Sequence, residues 1–198
     1  MLACNQPADT NKAKAGDTGV HAAHKPAADA EDYITALEAG EIAEDTLKGS
    51  PMRIAMGDIG NSHLHIAYSA PGVKGRVIWG GLVAYNKVWV TGAHKATCVI
   101  FTEPLLFGGK QVPAGAYALF TIPREKEAWT VILNKNYDQH QADDYDERED
   151  ILRVAVIPAE QDTLTQRLTY TVANDTKDKG SLNIRWEKKQ LTIPLQAL

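Results

Sequence analysis

From Met52 onward, large apolar side chains recur at every second position, and that period decides what the chain can fold into. "HLHIAYS" sets Leu64, Ile66 and Tyr68 on one face and His63, His65 and Ser69 on the other. "WTVILNK" separates Trp129, Val131 and Leu133 from Thr130 and Asn134. "LTYTV", "LNIRW" and "LTIPL" repeat the pattern with Leu168, Tyr170 and Val172, with Leu182, Ile184 and Trp186, and with Leu191, Ile193 and Leu195. Successive side chains of a strand point to opposite faces, so each run reads as a half-buried strand. "YALFTI" and "ILRVAVI" are apolar on both faces and are expected at the centre of a sheet. Gly108-Gly109 suits a tight hairpin, Pro113-Ala114-Gly115 a type I turn, and Asp175–Gly180 a polar loop. About nine short strands without intervening helices predict an all-β domain over residues 50–198. The expected architecture is an antiparallel β-sandwich, immunoglobulin-like or jelly-roll-like. The missing strand–helix–strand alternation excludes a doubly wound nucleotide-binding fold.

The N-terminal part obeys other rules. Residues 1–29 hold almost no large apolar side chain and cannot offset the entropy of ordering, which predicts a disordered tether. His21 and His24 fall within it, without an anchoring third ligand for a metal. Residues 30–49 carry Tyr33, Ile34, Leu37, Ile42 and Leu47 in a helical stripe led by acids. They predict one amphipathic helix with Lys48 in its last turn, Gly49 at its stop and Gly40 as a weak middle. Cys4 closes "MLAC" ahead of a polar, low-complexity run, which resembles a bacterial lipobox and its tether. The expectation is a lipid on Cys4 and a place in the bacterial cell envelope, on the periplasmic face or as an outer-membrane lipoprotein, with secretion as the alternative. A free thiol in a disordered tail is the plainer reading. Cys98, in "ATCVIF", reads as a buried strand thiol.

Several chemistries find no support in the sequence. A formal net charge of −4 argues against nucleic acid, which needs a broad basic face. The serines, Ser50, Ser62, Ser69 and Ser181, sit in no Gly-x-Ser-x-Gly elbow. No glycine loop precedes a helix to cradle phosphate, and no cofactor is expected.

Four stretches carry a resemblance: "YSAPGVKGRVIWGGLVAYNKVWVTGAHKAT", "GGKQVPAGAYALFTIP", "EAWTVILNK" and "DDYDEREDILRV". Together they resemble the bacterial domain-of-unknown-function family numbered 2911, over roughly residues 50–195. The resemblance implies a secreted or envelope β-sandwich and carries no reaction. The chain departs from the family pattern at Ala70 and Val90, where arginines are usual, and at His94-Lys95. If those arginines hold a ligand in relatives, this chain has lost that grip or binds something else.

The segment between Asp58 and Glu103 contains no acid, while Lys74, Arg76, Lys87 and Lys95 supply positive charge. Residues 138–150 hold seven acids against the single base Arg148. This points to a positive, aromatic-rimmed surface for an unknown small molecule, anionic or saccharide-like. Arg76, Lys87, His94 and Lys95 would supply charge there, and Trp79, Tyr85 and Trp89 flat contact. Two plainer readings stand beside it: the acidic run folds over the basic one and pairs with it, or the tryptophans simply close one end of the core. His63 and His65 share a strand face and, with His94, outline a metal-binding alternative. The carboxylates of "DDYDERED" outline another, a hydrolase acting on a saccharide. The leading expectation is a non-catalytic ligand-binding or structural module, with a membrane partner only through a lipid on Cys4.

Overall fold

The computed structural model describes residues 28–140 and 142–198. Cys4, His21, His24 and all of the expected tether but its last two residues, which begin the helix, lie outside the described residues. One helix, α1 (Ala28–Glu38), precedes ten strands: β1 (Met52–Ile59), β2 (Ser62–Ser69), β3 (Thr97–Phe101), β4 (Leu105–Phe107), β5 (Lys110–Val112), β6 (Gly115–Ile122), β7 (Trp129–Asn134), β8 (Asp150–Val156), β9 (Ala159–Asn174) and β10 (Lys179–Ala197). They form a six-stranded sheet ordered β1-β2-β3-β6-β7-β8 and a four-stranded sheet ordered β5-β4-β10-β9, with antiparallel pairing throughout. The all-β sandwich read from the alternation is the fold. Among the described residues no helix is long and apolar enough to cross a membrane.

The inner faces carry the alternating residues. Leu64, Ile66, Leu119, Val131, Leu168, Leu182 and Ile193 are all completely buried in one core. Strand β6 stands fourth of six and is buried on both faces, as "YALFTI" led one to expect. Its outward residues Ala118 and Phe120 join Ile132, Val90 and Ala96 in a second, smaller cluster, with Ala142 and Tyr145 packed against it. The β2–β3 crossover and the acidic segment therefore cover the outside of the sheet at that point.

Three expectations change. Strand β8, which holds "ILRVAV", lies at the edge of its sheet, not at the centre, and Ile157 beyond it is 80% exposed. Its apolar content is explained by the β4–β5 hairpin: Lys110 Nζ donates to Arg153 O at 2.9 Å, and Gly108 leaves no space beside Val154. "LNIRW" and "LTIPL" are one long strand, β10. Its inward residues switch from even numbers (Leu182, Ile184, Trp186) to odd (Leu191, Ile193, Leu195), and register shifts on either side of Glu187, at φ 55°, make the switch.

The helix ends at Glu38, eleven residues short of the expected stop at Gly49. Gly40, at φ 78°, is the C-terminal stop: Glu41 N–H donates to Ala36 O (2.9 Å) and Gly40 N–H to Leu37 O (3.2 Å), the paired bonds of a Schellman cap. Ile34 and Leu37 are buried, while Tyr33 folds the following segment back by accepting from Thr46 N–H at 2.7 Å.

Candidate functional site

The root of the crossover is fixed by one arginine. Arg167 of β9 is completely buried. Its Nη1 donates to Gly49 O (3.0 Å) and Ala70 O (2.9 Å), and its Nη2 to Asp45 Oδ1 (3.0 Å) and Leu47 O. Nε stands 2.9 Å from Asp45 Oδ2, off the line of its N–H, so that contact is coulombic. A buried guanidinium is tolerable only with such complete pairing. One side chain thus joins the strap at residues 45–49 to the start of the crossover. Val73 N–H to Gln166 O (2.8 Å) and Leu168 N–H to Pro71 O (3.1 Å) then lay the crossover along the free edge of β9.

Beyond this root the chain is strained. Among the described residues, four of the five non-glycine residues with positive φ lie in the crossover: Lys74, Asn86, Thr91 and His94. Thr91 is buried and β-branched, a costly choice at φ 49°. It is held by Tyr170, whose hydroxyl donates to Thr91 O at 2.7 Å, by Thr97, which donates to the same oxygen at 3.0 Å, and by its own bond to Thr121. Burial pushes the Tyr170 phenol far up, so it stays a neutral donor. Such strain survives only where the surroundings over-determine it, and it collects at working sites.

The chain's four tryptophans meet at this end of the sandwich. Trp79 stands edge-on to Trp89, Trp129 and Trp186, with ring centroids 5.8, 4.7 and 5.7 Å away, and Trp89 stacks on Trp186 at 5.6 Å. Each such pair adds roughly 0.5–1.5 kcal/mol beyond burial. Trp129 Nε1 donates to Arg124 O (2.9 Å) and Trp89 Nε1 to Gly92 O (3.1 Å). Trp79 and Trp89 thus help to close the core, yet both remain partly exposed.

Above the cluster lies a cleft of about 420 Å³. Trp89 and Trp186 form its floor, Arg76, Leu82 and His94 line its crossover side, and Asp143 comes from the acidic segment. Arg76 donates to Val73 O (3.2 Å) and to Gly72 O, and among the described residues no carboxylate pairs with it. Of the expected contact residues, the fold brings Arg76, Trp89 and His94 together. Trp79 sits behind the floor. Tyr85 packs its ring against Gly80, and Lys87 is exposed, with neither lining the cleft. Lys95 is bound to Asp138 at 2.9 Å and also lies outside it. Sequence reasoning missed Trp186 and did not single out Asp143. The alternation put Trp186 inside, but only the bulge beside it brings the ring to the end of the sandwich.

Several of the other acids of this segment have partners. Asp150 Oδ2 accepts from Tyr145 Oη (2.7 Å) and Arg153 Nε (2.7 Å), Glu147 reaches Arg153 at 3.3 Å, and Glu149 lies 3.9 Å from Lys135. Hydrogen bonds from the Arg148 side chain and backbone pull the Asp146 carboxyl down to about 2. Lining the cleft, Asp143 is the single carboxylate among the described residues, so the pair that a saccharide hydrolase needs is not assembled there. The Cys98 thiol, half-buried in β3, is pushed up to about 11 by burial and by Asp138, which keeps it protonated and inert near neutrality.

The fold does not bring His63, His65 and His94 together. Strand β2 runs antiparallel to β3, which places His94 near the Ser69 end, on the order of 20 Å along the strand from His63. His63 Nδ1 instead pairs with Asp58 at 2.7 Å. Among the described residues no three His, Cys, Asp or Glu side chains could hold an ion together.

Residues 50–195 match the family described as protein of unknown function (DUF2911). The chain belongs to that family. No curated protein and no solved structure matches it. The family match begins at Ser50, so α1 and the Asp45 strap lie outside it although Arg53 and Arg167 tie both to the sandwich.

Proposed function

We propose that this DUF2911 protein is an envelope-associated, non-catalytic binding module whose cleft takes a small saccharide carrying a negative charge. The observation that carries the reading is the composition of the cleft: an aromatic floor from Trp89 and Trp186, with a guanidinium at the rim that has no carboxylate partner among the described residues. Flat indole surface suits the apolar face of a sugar ring, while Arg76 and His94 favour a carboxylate, and Asp143 can accept from ring hydroxyls. The volume fits one or two sugar rings. The envelope placement rests on the lipobox-like run ending at Cys4. Mass spectrometry of the N-terminal peptide from envelope fractions tests it, and an unmodified Cys4 would remove the lipid tether.

Titration calorimetry with D-glucuronate and D-glucose tests the cleft. Both bind, glucuronate several-fold tighter, and Arg76→Gln removes the difference while leaving glucose affinity in place. Heat from neither sugar at millimolar concentration, or a preference unchanged in Arg76→Gln, would overturn the reading.

A further inference from the structure

Behind the cleft floor two hydrogen-bond donors stand idle. Nε1 of Trp79 and Nε1 of Trp186 are buried and have no acceptor. Trp186 itself is 2% exposed. Buried N–H groups without partners are rare in folded proteins, because each has lost its hydration without gaining an acceptor. Both belong to side chains lining a partly open void of about 10 Å³, together with Trp89, Trp129, Leu191 and Lys189. That is room for a single oxygen-sized group. Trp89 and Trp186 line the void and the cleft alike, so their stack is the partition between the two.

We propose that this void is an inner subsite of the cleft that receives one hydroxyl oxygen of the saccharide, with the Trp79 and Trp186 indole N–H groups donating to it. The inference rests on the saccharide reading of the cleft and adds the orientation of the ligand. Two neutral donors among apolar rings match a neutral acceptor. A carboxylate there would lose its hydration without gaining a counter-ion, because Lys189 Nζ is already bound to Glu160. The charged end of the ligand therefore stays at Arg76 and His94, and a hydroxyl points inward past Trp89. Trp89 is the accessible side of the partition: it is partly exposed, and beside its ring contacts with Trp79 and Trp186 its side chain makes one hydrogen bond, from Nε1 to Gly92 O.

The test is calorimetric binding of D-glucose and its monodeoxy analogues to the full chain and to Trp79→Phe and Trp186→Phe. Phenylalanine keeps a ring but removes the donor. Each variant weakens glucose about five-fold, the worth of one neutral hydrogen bond. One deoxyglucose, lacking the inserted oxygen, binds wild type correspondingly weakly and is unaffected by either substitution. Two results overturn the inner subsite alone: glucose affinity unchanged in both variants, or an equal loss for every sugar in the series. In either case, loss of the glucuronate preference in Arg76→Gln leaves the cleft reading standing. If one variant does not fold, the other together with the wild-type deoxy series decides. Failure of glucose and glucuronate to bind wild type overturns both readings.

Discussion

The two walls of the cleft both carry ion pairs, but in opposite surroundings. On the crossover side, Arg167 and Asp45 pair at 0% and 1% side-chain exposure, and both Nη groups of the guanidinium are hydrogen-bonded. On the acidic side, Lys95–Asp138 pairs at 53% and 73% exposure, and Arg148–Asp146 at 86% and 37%. Water competes for the second set and not for the first. An exposed pair contributes about 0–1 kcal/mol, whereas a buried one broken on one side costs about 3–5 kcal/mol. The acidic segment is fixed mainly by neutral contacts: Ala96 N–H to Gln139 O (3.0 Å), Gln139 Nε2 to Asn134 Oδ1 (3.2 Å), and Tyr145 edge-on to Phe120. One wall is bolted and the other leans.

The contrast can be broken at several points. Arg167→Ala leaves Asp45 buried without a counter-charge and costs about 3–5 kcal/mol by denaturant unfolding. A loss below about 1 kcal/mol would show that the strap is not bolted. Arg53→Ala comes next. Its partners Glu31 and Glu38, 2.7 and 3.0 Å away, are a third or more exposed and can rehydrate, so the expected loss is about 1–2 kcal/mol. Lys95→Ala costs less than about 1 kcal/mol and only loosens the acidic wall, seen as faster exchange of the Ala96 amide. Asp146→Asn has the smallest effect and a defined pH signature. The folded carboxyl titrates near 2, below its ordinary 3.8, so its contribution is present above the ordinary value and fades as pH falls toward 2. Wild type and variant should converge in stability over that window, and a gap that persists at pH 2 contradicts the Arg148 pairing.

What the sequence disclosed follows from range. Alternation is a local signal, and it located the inward sets of β2, β7, β9 and both halves of β10. The bulge at Glu187 is visible afterwards as a change of parity between Trp186 and Leu191, although the same text reads equally well as two strands. Strand β8 misled because apolar content reports burial, and a hairpin can bury an edge strand as well as a neighbouring strand can. Gly40 was seen but weighed as a flaw in a longer helix, since local propensity does not say whether the chain continues past a weak point. The Arg167–Asp45 pair spans 122 residues and involves charged types that are usually solvated, so no local pattern marks it. For the candidate site, the acid-free aromatic crossover supplies most of the cleft lining, but which bases stay free depends on the acidic run that folds beside it. That run claimed Lys95 and left Arg76.

Native-state hydrogen exchange of the unliganded full chain addresses the unequal walls most directly. The Val73 and Leu168 amides, bonded across the crossover root to Gln166 and Pro71, should exchange only with near-global unfolding, while the Ala96 amide, bonded to Gln139, opens locally and exchanges about a hundred-fold faster or more. Equal protection at the two places, or faster exchange at Val73 than at Ala96, would contradict the account.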